Sequence, residues 1–136
     1  MSVVLKGLSM ITSPDFTWEW IIQHCEYMCG YFRESIEIKR YPEATCLAWI
    51  EYIQGLDALV PVLREHPVLG KAVPMMSMNQ LRWFPSKESE VNVYCLENHA
   101  GYQITSYLRD EEVNQKTVTF DEVANEIYAE VINLRG

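Results

Sequence analysis

Three segments that alternate apolar and polar residues, with turn residues between them, constrain this chain most. They are Met78 to Phe84, Val91 to Leu96 and Tyr102 to Leu108, and the turns between them are Pro85 to Ser89 and Glu97 to Gly101. A period of two residues is typical of strands that bury one face, and turns of this length join antiparallel neighbours. The pattern therefore predicts a three-stranded antiparallel meander.

The segment after the meander predicts a capped final helix. Thr119 stands at the expected N-cap, and Glu122 can return a hydrogen bond to the N–H of the cap residue, which completes a capping box. Val118 and Val123 can pack together as the accompanying hydrophobic staple. The predicted buried stripe of this helix comprises Phe120, Val123, Ala124, Ile127, Val131 and Leu134.

The first third of the chain predicts a strand, a helix and a second strand. Residues Val3 to Ile11 are mostly apolar and are expected to form the first strand. Thr12 to Asp15 is a helix-start signal, apolar residues recur at helical spacing from Trp18 onward, and Gly30 is a typical helix end. Residues 36–42 alternate and predict a half-buried strand.

The middle of the chain leaves two interpretations open. The segment Thr45 to Ile53 is rich in β-branched and aromatic residues, which favours a second hairpin strand, but its apolar positions also fit a helical period. From Gly55 to Pro74, the prolines Pro61 and Pro67 predict one short helix and an irregular connection.

Together these elements predict a single α+β domain over residues 1–136. We expect an antiparallel or mixed sheet with helices packed on one face, in the approximate order β-α-β-β-(short α)-β-β-β-α. A chain of 136 residues with 49% hydrophobic residues is large enough and apolar enough to bury one core.

The net charge of −8 limits the classes of partner. An acidic protein is repelled by nucleic-acid phosphates and anionic membrane surfaces, so direct binding to either is not expected and a basic protein partner is favoured. The chain begins without a signal-peptide pattern, and charge or glycine interrupts its apolar runs below the roughly 18 residues that span a bilayer. We therefore expect a cytoplasmic protein whose four cysteines are reduced, buried thiols.

The sequence contains no motif of a common enzyme class. It has no GxGxxG, GxxxxGK[ST] or GxSxG pattern for nucleotide binding or hydrolysis. Cys25 and Cys29 share a helical face and could hold two metal ligands, but both belong to an apolar stripe and no second Cys/His pair completes a site. We expect no catalytic residue, metal or cofactor, and a protein-binding role.

The acidity is concentrated in residues 110–130, where seven acidic residues and one lysine carry −6 of the total −8. Glu122, Glu126 and Glu130 are spaced four apart and predict an acidic stripe along the final helix, either as a solvated face or as an electrostatic docking surface. The candidate partner-binding residues are Asp110, Glu111, Glu112, Glu122, Glu126, Tyr128 and Glu130.

Aromatic residues crowd the predicted first helix. They are Trp18, Trp20, Tyr27, Tyr31 and Phe32. Some are expected in the core, but aromatic side chains are also enriched among the anchors of protein interfaces. Any that are exposed would favour the docking interpretation.

The C-terminal third resembles a known class of binding proteins. Gly101 to Thr105, then Val118 to Val123 and on to Leu134, is similar to the closing strand, acidic loop and final helix of small bacterial immunity proteins from polymorphic-toxin and contact-dependent-inhibition systems. The resemblance implies a cytoplasmic protein that binds a cognate toxin domain, often a basic nuclease, and blocks its active site or substrate surface. It assigns no site residue, because these proteins diverge at their interfaces.

Two other functions remain open. One is a small-ligand-binding domain or minor enzyme with a pocket among the tyrosines and tryptophans, which a closed aromatic cavity would favour. The other is an acidic nucleic-acid mimic or regulatory adaptor, with carboxylates at phosphate-like spacing.

Overall fold

A computed structural model describes residues 2–5 and 8–135 of the chain, with side chains over residues 10–134 except that of residue 99. The strands are β1 (Ser2–Leu5), β2 (Leu8–Ile11), β3 (Met75–Ser77), β4 (Gln80–Ser86), β5 (Ser89–Cys95), β6 (Tyr102–Leu108) and β7 (Glu111–Val118). The helices are α1 (Trp18–Glu37), α2 (Glu43–Glu65) and α3 (Val123–Arg135).

The described strands form one seven-stranded sheet in the order β1-β2-β4-β5-β6-β7, with β3 beside β4. Every neighbouring pair is antiparallel. Strands β4, β5 and β6 are the three predicted segments of the meander, displaced by a few residues at their ends. The α+β fold with an antiparallel sheet is therefore confirmed, although the order of elements differs in the first half of the chain.

Both sheet-packing helices lie on the same face. The Tyr102 hydroxyl donates to the carbonyl of Gly55 in α2 at 2.8 Å, and the Ser106 hydroxyl donates to Glu130 in α3 at 2.7 Å. Residues 102 and 106 point to the same side of β6, because side chains alternate along a strand. Helix α1 packs on α2 and also reaches β3, where the Cys25 Sγ atom lies 3.9 Å from the Met76 Sδ atom.

Gly55 permits the close approach of α2 to the sheet. A Cβ atom at this position would lie 2.3 Å from the Sγ atom of Cys95 on β5. Leu56, Leu59 and Leu63 follow Gly55 on the buried side of α2 and are fully enclosed in the core. The glycine therefore sets how closely the helical layer packs on the sheet.

Helix α1 differs from its prediction at both ends. It begins at Trp18 after the N-cap Thr17, whose hydroxyl accepts a hydrogen bond from the Trp20 N–H at 3.0 Å, and so begins later than the signal at residues 12–15 indicated. It continues through Gly30 to Glu37, so the strand predicted over residues 36–42 is wrong. The chain turns at Lys39, which adopts the left-handed backbone conformation (φ 56°) that Gly30 was expected to supply.

Helix α2 replaces the predicted strand over residues 45–53 and the short helix after it. Cys46, Ile50 and Ile53 are buried at helical spacing, so packing against the core decides between the two periods that the sequence allowed. Pro61 removes one backbone hydrogen bond, to the carbonyl of Asp57, near the end of the helix. Asp57 is exposed and its carbonyl can be hydrated, so the helix continues to Glu65.

By length and composition alone, α2 could cross a membrane, with a mean hydropathy of 1.3 over its most apolar 18 residues. Eight of its residues are nevertheless buried in the protein. A core helix passes the same test, so this property does not indicate a membrane location.

Residues 111–118, for which the sequence predicts no strand, form the edge strand β7. The Arg109-Asp110 turn fixes its register to β6, since both residues have positive φ angles (52° and 65°), as in a type I′ turn. Side chains 111–115 are exposed, which explains why no apolar alternation marks the strand. The predicted capping box is confirmed, with the Thr119 N–H donating to Glu122 Oε1 at 3.0 Å.

Candidate functional site

The predicted acidic stripe of α3 is interrupted in the structure, because Glu130 is only 4% exposed. Its carboxylate accepts hydrogen bonds from Ser106 at 2.7 Å and Asn114 at 2.8 Å, and pairs with Lys116 at 3.0 Å. Burial raises the pKa of Glu130, but these three partners outweigh burial and hold the pKa below its ordinary value. Lys116 also pairs with Glu126. Glu130 therefore joins α3 to the sheet and is not available to a partner.

Two other predicted residues on this side also have internal partners. The exposed Glu122 carboxylate completes the capping box with Thr119, whose backbone bond and side chain lower the pKa of Glu122. The Tyr128 ring is half-buried and lies 5.2 Å from the ring of His66. The regular carboxylate spacing that a nucleic-acid mimic would need is therefore not present along α3.

Asp110, Glu111 and Glu112 are exposed at the tip of the β6–β7 hairpin. None of the three makes an ion pair with the described side chains, those of residues 10–98 and 100–134. Val113 follows them and is 53% exposed. These three carboxylates of the predicted acidic region are therefore accessible to solvent.

A continuous aromatic stripe runs along the outer face of α1. Trp20, His24, Tyr27 and Tyr31 are four, three and four residues apart, the spacing of side chains on one helix face. The Trp20 and His24 rings stack with their centres 4.6 Å apart, and the centres of the His24 and Tyr27 rings lie 6.2 Å apart. Phe16 and Trp20 pack edge to face with ring centres 4.8 Å apart. Trp20 is 36% and Tyr27 67% exposed.

A second aromatic cluster continues the stripe across the α1–α2 connection. The Tyr31 ring contacts Phe32 at 5.3 Å and Tyr41 at 6.4 Å, while Phe32 stacks on Trp49 at 5.6 Å. Trp49 in turn meets Tyr52 at 6.2 Å. Several large apolar side chains on these two helices and their connection are exposed: Trp20, Ile22, Tyr27, Ile38, Tyr41 and Leu47. Trp20 and Tyr27 belong to the aromatic stripe itself, and exposed apolar side chains that lie together are typical of an interaction surface.

A depression of about 490 Å³ lies beside the stripe. It is lined by Gln23, Glu26, Tyr27, Gly30, Tyr31 and Glu34. Gly30 stands in the middle of this set, and a Cβ added there would have no other atom within 4 Å. Glu26 and Glu34 are exposed and make no ion pair among the described side chains.

Glu26 also lines a neighbouring depression of about 270 Å³ that contains Asp57 of α2. Burial, and then the charge of Glu26, raise the pKa of Asp57 above its ordinary value. Arg33 lines the same depression but forms no ion pair with either carboxylate. The space between α1 and α2 therefore holds two carboxylates and one guanidinium that form no direct ion pair with one another.

The four cysteines are free and buried. Burial, with smaller contributions from nearby charges, raises the pKa of Cys25 to about 12, and burial also raises the pKa values of Cys29 and Cys95. A nucleophilic cysteine requires the thiolate, so these thiols are poorly suited to catalysis at neutral pH.

The uncovered face of the sheet carries a polar network in a depression of about 730 Å³. Arg82 donates to Glu90 through two nitrogens, at 3.0 and 2.7 Å, and the Asn92 amide donates to the same carboxylate at 3.1 Å. Phe84 and Tyr107 also line this depression. It is an open surface with balanced charges, unlike the closed aromatic cavity that would favour a small-ligand site.

No protein-family model matches this chain, and searches of curated proteins and solved structures give no match either. The α1 face is thus the strongest candidate site on structural grounds. The sequence predicted its aromatic residues but not its carboxylates or Gly30. The four-three-four spacing of the aromatic residues could have indicated them, because it continues to Tyr31 and so predicts a helix that runs through Gly30.

Proposed function

We propose that this chain is a protein-binding inhibitor of the immunity-protein type, which holds a basic partner against the outer face of α1. One observation carries the proposal: an exposed aromatic stripe, Trp20 to Tyr31, lies beside the two carboxylates of Glu26 and Glu34, which form no ion pair among the described side chains. Aromatic anchors and complementary charge are the features that protein interfaces combine.

The stripe is suited to binding because its rings are already ordered. Trp20 is held between Phe16 and His24, so few side-chain rotamers are lost when a partner covers it. Trp and Tyr are the side chains most enriched among interface hot spots, where truncation costs about 2 kcal/mol or more. A partner that buries Trp20 and Tyr27 would also remove exposed apolar surface from water.

The hairpin carboxylates Asp110, Glu111 and Glu112 have a separate part in this proposal. Exposed charges attract an oppositely charged protein over about one Debye length and raise its association rate. We assign these residues to steering the partner and the α1 face to holding it. The basic partner is proposed to be a toxin domain met in the cytoplasm, in keeping with the local acidity of the chain.

The experiment has two stages. The immobilised protein is used to capture partners, and a captured basic protein is then assayed for its own activity with and without an equimolar amount of this chain. The proposal predicts stoichiometric inhibition. A captured protein that remains fully active in the complex would contradict the inhibitor function.

Two matched double variants then test whether the partner binds to the α1 face. Trp20→Ala with Tyr27→Ala should weaken binding by about 1,000-fold, as expected for two hot-spot residues at about 2 kcal/mol each. Val113→Ala with Ile132→Ala removes two exposed apolar side chains from other elements and should change the affinity by less than about threefold. Equal losses in both pairs would remove the α1 face from the proposal.

A further inference from the structure

We propose that the depression over Gly30 is a binding site for a guanidinium group, supplied by an arginine side chain of the partner. The site comprises the Tyr27 and Tyr31 rings, the Glu26 and Glu34 carboxylates and the bare backbone at Gly30. This inference rests on the proposed function and names the chemical group that the α1 face recognises.

Gly30 has no local structural reason to be glycine. It lies inside α1, has no positive φ angle and has no neighbour that a Cβ would strike. Glycine at an exposed helix position destabilises the helix relative to alanine. The glycine leaves room on the helix surface, because the absent side chain deepens the depression between Tyr27 and Tyr31.

The charges favour a cation as the occupant. Glu26 and Glu34 both line the depression, and neither forms an ion pair among the described side chains. Burial raises the pKa of the nearby Asp57 carboxyl, and the negative charge of Glu26 raises it further. A cation bound over Gly30 would be attracted by both Glu26 and Glu34 and would offset part of the repulsion between Glu26 and Asp57. An anion or a neutral group would not.

The aromatic walls favour arginine over lysine. A planar guanidinium stacks on tyrosine rings and can pair with carboxylates through several N–H groups, whereas an ammonium acts as a compact, strongly hydrated charge. The surface already shows this chemistry within the protein, since the Arg40 guanidinium carbon lies 4.7 Å from the centre of the Tyr31 ring.

The test is an amide NMR titration of the full chain with N-acetyl-arginine amide as the probe. N-acetyl-citrulline amide is the control, because it has nearly the same shape without the charge. We expect saturable shifts at residues 26–34 with the arginine probe, and at least about tenfold weaker binding of the citrulline probe.

Variants connect the shifts to the site. Gly30→Ala should stay folded, because it gains helix propensity and strikes nothing, yet it should weaken arginine binding by at least about tenfold. Glu26→Gln with Glu34→Gln should do the same. Glu43→Gln with Glu65→Gln, which changes two exposed carboxylates of α2 outside the lining of the depression, is the matched control for charge and should leave binding unchanged.

The inference is overturned if residues 26–34 do not shift, if citrulline binds equally well, or if Gly30→Ala binds arginine like the wild type. The proposed function still holds after any of these results if a captured partner is inhibited by the protein and the Trp20→Ala, Tyr27→Ala variant binds that partner more weakly. Loss of inhibition with intact arginine binding would instead reject the function and keep the site.

Discussion

The carboxylate of Glu130 accepts a hydrogen bond of 2.7 Å from the hydroxyl of Ser106, across the contact between α3 and β6. The same carboxylate pairs with Lys116 of β7 at 3.0 Å, so one side chain joins the last helix to two strands. An acidic residue that the sequence places on a regular surface stripe is thus a buried structural link. The accessible carboxylates lie elsewhere, on the β6–β7 tip and on α1.

Replacement of Glu130 by alanine should destabilise the protein strongly. The change leaves the buried hydroxyl of Ser106 without its acceptor and also removes a partner of Asn114 and Lys116, which costs about 2–4 kcal/mol in the free energy of unfolding. Urea denaturation measures the effect. The control Glu111→Ala, at an exposed position, should change stability by less than about 0.5 kcal/mol, and equal losses in the two variants would contradict the buried link.

Acidification should remove part of the stability through Glu130 and Glu90. Burial raises the pKa of Glu130 and of Glu90. Hydrogen bonds from Asn114, Ser106 and Lys116 at Glu130, and from Arg82 and Asn92 at Glu90, outweigh burial and hold the pKa of each carboxyl below its ordinary value. The unfolded state therefore binds protons first as the pH falls. The contribution is complete above the unfolded pKa and is lost as the pH drops through the folded pKa values.

Urea unfolding at pH 7 and at successive pH values below 4.5 tests this linkage. Glu130→Gln should be less stable than the wild type at pH 7, with a shallower loss of stability on acidification. Some dependence should remain because Glu90 is still present. A variant whose acid dependence is as steep as that of the wild type would show that Glu130 contributes nothing to it.

Two helical glycines should respond oppositely to alanine. Gly55→Ala places a methyl group 2.3 Å from the Cys95 sulfur and should cost about 1–3 kcal/mol through overpacking between α2 and β5. Gly30→Ala meets open space and should gain about 0.5–1 kcal/mol from helix propensity. Thermal or urea unfolding of both variants checks the signs, and a destabilised Gly30→Ala would contradict the assignment of Gly30 to the helix surface.

The sequence predicts this fold best where burial is periodic. The meander and the capped α3 follow from alternation and from Thr119 with Glu122, which are local signals that packing reinforces. The helical hairpin is harder to predict because Gly30 and Pro61, read singly, indicate breaks, whereas the burial of Cys46, Ile50 and Ile53 in the core maintains the helix.

The candidate site is predicted less completely for a related reason. Net charge and spacing cannot tell a buried, partnered carboxylate such as Glu130 from an exposed one such as Glu26, because that difference arises only when α3 meets β6 and β7. Trp18 and Trp20 also differ in burial in a way that the sequence does not show. Trp18 donates to the Gly70 carbonyl at 2.9 Å and is buried, whereas Trp20 lies on the outer face.

The most direct test of the account is the affinity of the captured partner for two charge-matched variants. Glu26→Lys with Glu34→Lys changes the α1 face, and Glu111→Lys with Glu112→Lys makes the same change of charge at the hairpin tip. The α1 variant should lose about 100-fold in affinity, mainly through faster dissociation, and the hairpin variant less than about tenfold through slower association. An equal loss in both variants, or a larger loss in the hairpin variant, would contradict the assignment of the binding surface to α1.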